Sequence, residues 1–129
     1  MDGNSIRRGF MMNLYQDFKR IDAMMKAKGV NVEPMTGKEY FTGYEYKTLY
    51  DWDQYFEGIV MLYLGWGTQY MKNTVEIFMD FQREDGSVQR SSQADYKEQL
   101  LEHVKPFLAQ ITLLIYKRDG NLDFLTEHY

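Results

Sequence analysis

The segment from residue 40 to residue 56 places the tightest limits on how this chain folds. It is crowded with aromatic rings and three carboxylates, although it follows a stretch that contains Pro34, Gly37 and Gly43. Residues 30–50 show no steady hydrophobic period, which predicts a loop rather than a helix or strand. Because a segment this aromatic is unlike a disordered one, we expect a long ordered loop, and such loops are usually functional.

Helical periodicity marks the chain before this loop. Within residues 1–29, apolar side chains recur at steps of three and four: Ile6, Phe10, Leu14, Phe18, Ile21 and Met25. This pattern predicts an amphipathic helix over residues 5–28. Asn4 or Ser5 is suited to begin this helix, and Gly29 to end it in a left-handed turn.

A first helical hairpin is predicted over residues 51–82. Apolar side chains cover most of the surface of residues 51–64, which indicates a helix that is buried on more than one side. Trp66 lies between two glycines and predicts the bend. Thr68 then has the position of a cap for a second helix over residues 69–82.

A second, truncated hairpin is predicted over residues 106–129, after a polar loop and lead-in at residues 83–105. Pro106 fits the first turn of an apolar helix, and Gly120 lies in a turn between this helix and the last one. The chain is therefore predicted to be all-α, with helical hairpins in a single partial domain. Its parts are 1–29 (N-terminal helix), 30–50 (aromatic loop), 51–82 (first hairpin), 83–105 (polar loop) and 106–129 (second hairpin).

Charge and composition narrow the possible partners. The 129 residues carry a net charge of −4, which argues against nucleic acid or an anionic membrane as a partner. Cysteine is absent, and His103 and His128 have no companion at ligand spacing, so we expect no cofactor and no metal. No apolar run approaches the roughly 20 residues of a membrane span. The sequence is compatible with a location in either the periplasm or the cytoplasm.

The residues around the start of the predicted 51–64 helix are candidates for sugar binding. Proteins often grip sugars with aromatic faces and carboxylates, and Tyr44 and Tyr50 precede Asp51, Trp52 and Asp53 here. A structural alternative is that the carboxylates cap a helix and favour its dipole. That alternative explains Asp51 well but Asp53 less well, and both hypotheses stay open at this point.

Three motifs together resemble a known family. Residues 50–56, in the order Tyr-Asp-Trp-Asp-Gln-Tyr-Phe, resemble the Trp-Asp element of the six-hairpin (α/α)6-barrel glycosidases. Residues 85–90 and residues 105–109 resemble the Asp-Gly loop and the Pro-containing helix start that follow it in those enzymes. The trehalases carry an Arg-Phe-x-Glu pattern before this element, whereas residues 45–48 here are Glu-Tyr-Lys-Thr. The Arg and the Glu of that pattern are thus missing, which favours glucosidase I-like and mannosylglycerate hydrolase-like relatives.

The resemblance implies an incomplete (α/α)6 toroid that supplies part of a sugar pocket. Trp52 would be a stacking wall, Asp53 would accept hydrogen bonds from sugar hydroxyls, and Tyr50, Tyr44 and Lys105 would flank the pocket. The family's catalytic acid and base match no residue here, so the expectation is a fragment of an inverting α-glycosidase that is inactive alone. The implied partners are an α-glucoside or related glycoside, and the remaining barrel polypeptide or a second copy. The alternatives are a non-catalytic carbohydrate-binding module and a purely structural helical domain.

Overall fold

The structure, a computed structural model, describes residues 3–45, 47–93 and 106–128. Within them the chain forms four α-helices, four short β-strands and a final 3₁₀ helix. In chain order these are α1 Gly3–Gly29, β1 Val30–Val32, β2 Glu39–Phe41, β3 Thr48–Tyr50, α2 Asp51–Tyr63, α3 Gln69–Asp80, β4 Ser91–Gln93, α4 Phe107–Asp119 and the 3₁₀ helix Asp123–His128. The all-α prediction is therefore wrong, because the fold is mixed α/β with two small antiparallel sheets.

The first sheet replaces half of the loop predicted over residues 30–50. Strands β1 and β2 pair antiparallel, with Val30 opposite Phe41. The turn between them is closed by the buried carboxylate of Glu33, which accepts hydrogen bonds from the backbone N–H groups of Met35 (3.2 Å) and Thr36 (2.6 Å). Each strand has only three residues, too few to show a period-two pattern in the sequence.

The second sheet joins two parts of the chain that are distant in sequence. Strands β3 and β4 pair antiparallel, with Tyr50 opposite Ser91 and Thr48 opposite Gln93. The predicted polar loop 83–105 thus contains a strand, and its residues 94–105 lie outside the described part. An irregular loop of a helical toroid does not account for this pairing, so the toroid prediction is corrected here.

The helical hairpin predicted over residues 51–82 is present as α2 and α3. Gly65 and Gly67 both have positive φ values, 76° and 75°, in the bend between them. Helices α2 and α3 pack with α4 and the 3₁₀ helix around one apolar cluster: Phe41, Met61, Met71, Val75, Ile111, Ile115 and Leu125. A second cluster lies under β2 and β3: Tyr40, Leu49, Ile77 and Phe78.

Gly29 and Thr68 lie at predicted helix ends, but neither has the conformation or contact predicted for it. Gly29 ends α1, but it is not among the residues with positive φ. A Cβ there would meet the ring of Phe41 and lie 2.9 Å from the carbonyl oxygen of Thr42, so close packing requires the glycine. Thr68 precedes α3 without capping it, and its hydroxyl donates to Asp119 Oδ2 at 2.7 Å instead.

Helix α1 is anchored to the rest of the fold by its C-terminal half. Met25 packs against the main core, and the indole N–H of Trp66 donates to Asp22. The side chains of residues 13–21 are all exposed. None of the described helices combines the length and the apolar character that crossing a membrane requires.

Candidate functional site

A cleft of about 470 Å³ opens between the C-terminal turns of α1 and the segment that follows β2. Its size lies within the range of small-molecule sites. Its lining combines apolar residues (Met24, Met25 and Phe41) with polar ones (Lys28, Asn31, Thr42, Tyr44, Glu45 and Lys47). This combination suits a small ligand that carries both hydroxyls and an apolar face.

A hydrogen-bond network that includes the buried side chains of Gln54 and Thr74 holds the wall of the cleft against α2. Glu57 Oε1 accepts a hydrogen bond from the backbone N–H of Gly43 at 2.7 Å. Gln54 Nε2 donates to Glu57 Oε2 at 2.5 Å and to the carbonyl oxygen of Phe41 at 2.8 Å. The hydroxyl of Thr74 donates to Gln54 Oε1 at 3.0 Å, which fixes the orientation of the amide. The described loop residues 42–45 are thus tied to α2 and, through Gln54, to α3.

The protonation of Glu57 is poised near neutrality. Burial, with a smaller contribution from the negative charge of Asp53, raises the pKa of its carboxyl from 4.5 to about 7. The hydrogen bond from Gly43 acts in the opposite direction. The group that holds the cleft wall therefore changes charge within the physiological pH range.

Tyr44 connects the cleft to the first turn of α2. Its ring lines the cleft and is about half exposed, and its hydroxyl donates to Asp53 Oδ1 at 3.3 Å. Asp53 and Glu57 are one helical turn apart, so the two carboxylates lie on the same face of α2, and each accepts a hydrogen bond from the loop. The structure thus brings together two of the residues proposed from the sequence, Tyr44 and Asp53.

Trp52 lies in a different surface. Its ring packs on Phe107 and Phe56, with centroid distances of 6.0 and 6.4 Å. Tyr50 ends β3 opposite Ser91 and precedes α2. Neither is among the residues that line the cleft. Lys105, the remaining candidate, lies outside the described residues.

Sequence reasoning missed the groups that hold and line the cleft. Glu57 and Gln54 are polar positions on a helix that is otherwise largely apolar, and Glu57 lies four residues after Asp53 and three after Gln54, within one helical turn of each. That spacing was an available signal. Lys28 and Asn31 carried no comparable signal, because they line the cleft only when the fold brings the end of α1 and β1 beside the loop after β2.

The described residues contain no group of three His, Cys, Asp or Glu side chains that could hold a metal ion.

Comparisons with protein-family models, with curated proteins and with solved structures gave no match to this chain. The glycosidase resemblance therefore stays a prediction from the three motifs.

Proposed function

We propose that this chain is a non-catalytic carbohydrate-binding domain whose ligand lies in the cleft between α1 and the loop after β2. The observation that carries the proposal is the cleft itself, which is lined by Met24, Met25 and the half-exposed Tyr44. A sugar offers an apolar face to such a ring and to the methionine side chains. Its hydroxyls have donors and acceptors in Lys28 and Glu45.

Binding accounts for the carboxylates better than catalysis does. A glycosidase needs one carboxyl group to protonate the leaving oxygen and a second to act on water or on the sugar. Both oxygens of Glu57 already accept hydrogen bonds from Gly43 and Gln54, within the protein. We therefore assign Glu57 to positioning the loop rather than to chemistry.

The chain contains its own reporter for a binding experiment. Trp66 packs edge-on against Phe41, with ring centroids 5.3 Å apart, and Phe41 lines the cleft. Titration with glucose, maltose and trehalose should change the Trp66 fluorescence and saturate, with a Kd of about 1 mM. Trp52→Phe removes the other tryptophan, which lies in a separate surface, so the signal should persist in this variant.

The decisive variant is Tyr44→Ala in the Trp52→Phe background. We expect it to abolish the saturable change, and circular dichroism would check that the fold is retained. Unchanged sugar binding by Tyr44→Ala would overturn the assignment to the cleft. The absence of a saturable change with all three sugars in the parent protein would overturn carbohydrate binding itself.

A further inference from the structure

The cleft between α1 and the loop after β2 is lined by a lysine from each side. Lys28 lies one helical turn after Met24, so it belongs to the face of α1 that lines the cleft. Lys47 belongs to the segment after β2, which supplies the other wall. Each wall of the cleft therefore contributes one positively charged residue.

Neither of these two lysines is neutralised within the described part of the chain. Three other lysines are each held by a carboxylate within 3.1 Å: Lys26 by Asp22, Lys38 by Asp80 and Lys72 by Asp119. By contrast, the exposed side chains of Lys28 and Lys47 form no ion pair, hydrogen bond or cation–π contact with any described residue. Their charges are thus available to a ligand.

The negative groups of the lining do not balance this charge. Glu45 is the single carboxylate among the lining residues, and it forms no ion pair with either lysine. The last carbonyl of α1, that of Gly29, already accepts hydrogen bonds from the backbone N–H of Thr42 (2.9 Å) and the side chain of Asn31 (3.0 Å). These bonds offset part of the negative end of the helix dipole. The lining therefore has an excess of positive charge in a chain of net charge −4.

Two carboxylates of α2 contact the loop from outside the lining. Asp53 accepts a hydrogen bond from the hydroxyl of Tyr44, and Glu57 accepts one from the backbone N–H of Gly43. Neither carboxylate is among the residues that line the cleft. They weaken the positive potential there, but they do not pair with Lys28 or Lys47.

We propose that the ligand of this cleft is a sugar that carries an anionic group, a carboxylate or a phosphate, which Lys28 and Lys47 bind. This inference rests on the proposed function and narrows its ligand class. The apolar face and the hydroxyls of the sugar bind as in a neutral sugar, and the anionic group adds charge-assisted hydrogen bonds from the ammonium groups. Because both lysines are exposed, each pairing contributes only modestly to affinity.

The experiment compares three sugars that share one ring and differ at a single carbon: glucose, glucuronate and glucose 6-phosphate. Their affinities are measured by Trp66 fluorescence in the Trp52→Phe variant. Both acidic sugars should bind about three- to tenfold tighter than glucose, as expected for two exposed charge pairs. Which of them binds tighter decides between a carboxylate and a phosphate. Raising salt from about 50 to 500 mM should reduce the preference over glucose, because salt screens exposed charges.

Charge-changing variants test the two lysines through the ratio of the glucose and glucuronate dissociation constants. Lys28→Gln and Lys47→Gln should each lower this ratio about two- to threefold, and the double variant should bring it close to one. Glu45→Gln removes the opposing charge of the lining and should raise the ratio. Lys117→Gln is the matched control, because Lys117 is exposed on α4 and does not line the cleft, so the ratio should stay at its parent value. Circular dichroism checks that each variant is folded.

The outcomes separate this inference from the proposed function. Equal affinities for glucose and both acidic sugars would overturn the inference and leave neutral-sugar binding in place. A preference for acidic sugars that survives in the double lysine variant would also overturn it, since other groups would then hold the anion. Inorganic phosphate that binds as tightly as glucose 6-phosphate would show an anion site that does not recognise the sugar ring. That result would overturn both the inference and the proposed function.

Discussion

The carboxylate of Glu57 accepts a hydrogen bond from the backbone N–H of Gly43, with 2.7 Å between Oε1 and N. This contact joins α2 to the loop that walls the cleft. The second carboxylate oxygen of Glu57 accepts a hydrogen bond from the side-chain amide of Gln54, which also donates to the carbonyl oxygen of Phe41. Loop position and cleft shape therefore depend on a partly buried, ionisable group.

Stability should fall as the pH rises through the titration of Glu57. Its pKa is raised from 4.5 to about 7, so the folded chain holds a proton that the unfolded chain has already lost over this range. The favourable contribution is complete below pH 4.5 and is lost as the pH rises through about 7. Urea unfolding at pH 5, 6, 7 and 8 should reveal a loss of about 2–3 kcal/mol from this group.

Glu57→Gln is the variant that isolates this effect. The neutral amide keeps an acceptor for Gly43 and cannot ionise, so the contribution of residue 57 should be independent of pH. Glu39→Gln removes an exposed carboxylate at the start of β2 and should leave the wild-type pH dependence in place. An equal pH dependence in wild type and Glu57→Gln would show that another group is responsible.

Gln54→Glu should destabilise the fold although the two side chains have the same shape. A carboxylate cannot donate to the carbonyl of Phe41, and it would place a second negative charge beside Glu57. We expect a loss of about 3 kcal/mol at pH 8 and a smaller loss at pH 5, where protonation relieves the repulsion. Gln69→Glu makes the same charge change at an exposed position and should cost about 0.5 kcal/mol or less. Equal costs at the two positions would contradict the role given to Gln54.

Gly29→Ala should reverse the usual effect of this substitution in a helix. Alanine is favoured over glycine by about 1 kcal/mol in a helix interior. At residue 29 its Cβ would meet the ring of Phe41, so we expect a net loss of about 1–3 kcal/mol instead. Urea unfolding at fixed pH measures the change. Ala27→Gly, at an exposed position of the same turn, should cost only the ordinary propensity difference; a stabilised Gly29→Ala would contradict the packing contact.

Asp119→Asn should loosen the contact between the end of α4 and the start of α3. Hydrogen bonds from Lys72, at 2.6 Å, and from Thr68 hold the pKa of Asp119 below its ordinary 3.8. Because the pKa is lowered, the stabilising contribution is present above pH 3.8 and is lost as the pH falls through the folded-state value. The Tm of the variant should therefore be lower than that of wild type at pH 7, and the gap should close on acidification. Asp123→Asn, at an exposed residue of the 3₁₀ helix, is the control and should show no such gap.

The helices were predictable because their signal is local. Apolar residues three and four positions apart mark α1, α2, α3 and α4 in the sequence, and the glycines of the bend after α2 separate two of them. The strands were not predictable in this way, since each has three residues and β3 finds its partner in β4 far along the chain. The all-α prediction failed for that reason.

The candidate site was predicted only in part. Tyr44 and Asp53 do meet, but Trp52 and Asp53 are separated because successive residues of a helix are turned about 100° from one another. Adjacent positions in the sequence therefore belong to different surfaces, one at the cleft loop and one against Phe107 of α4.

By itself, the sequence determined where the helices lie, which of their faces are apolar, and that α1 is basic while α2 is acidic. These properties depend on residues within a few positions of each other. The tertiary structure alone decided the pairing of β3 with β4, the hydrogen bond of Glu57 to the loop, and the cleft between α1 and residues 41–45. Each of these depends on contacts between distant segments, and their energy arises only when the fold brings those segments together.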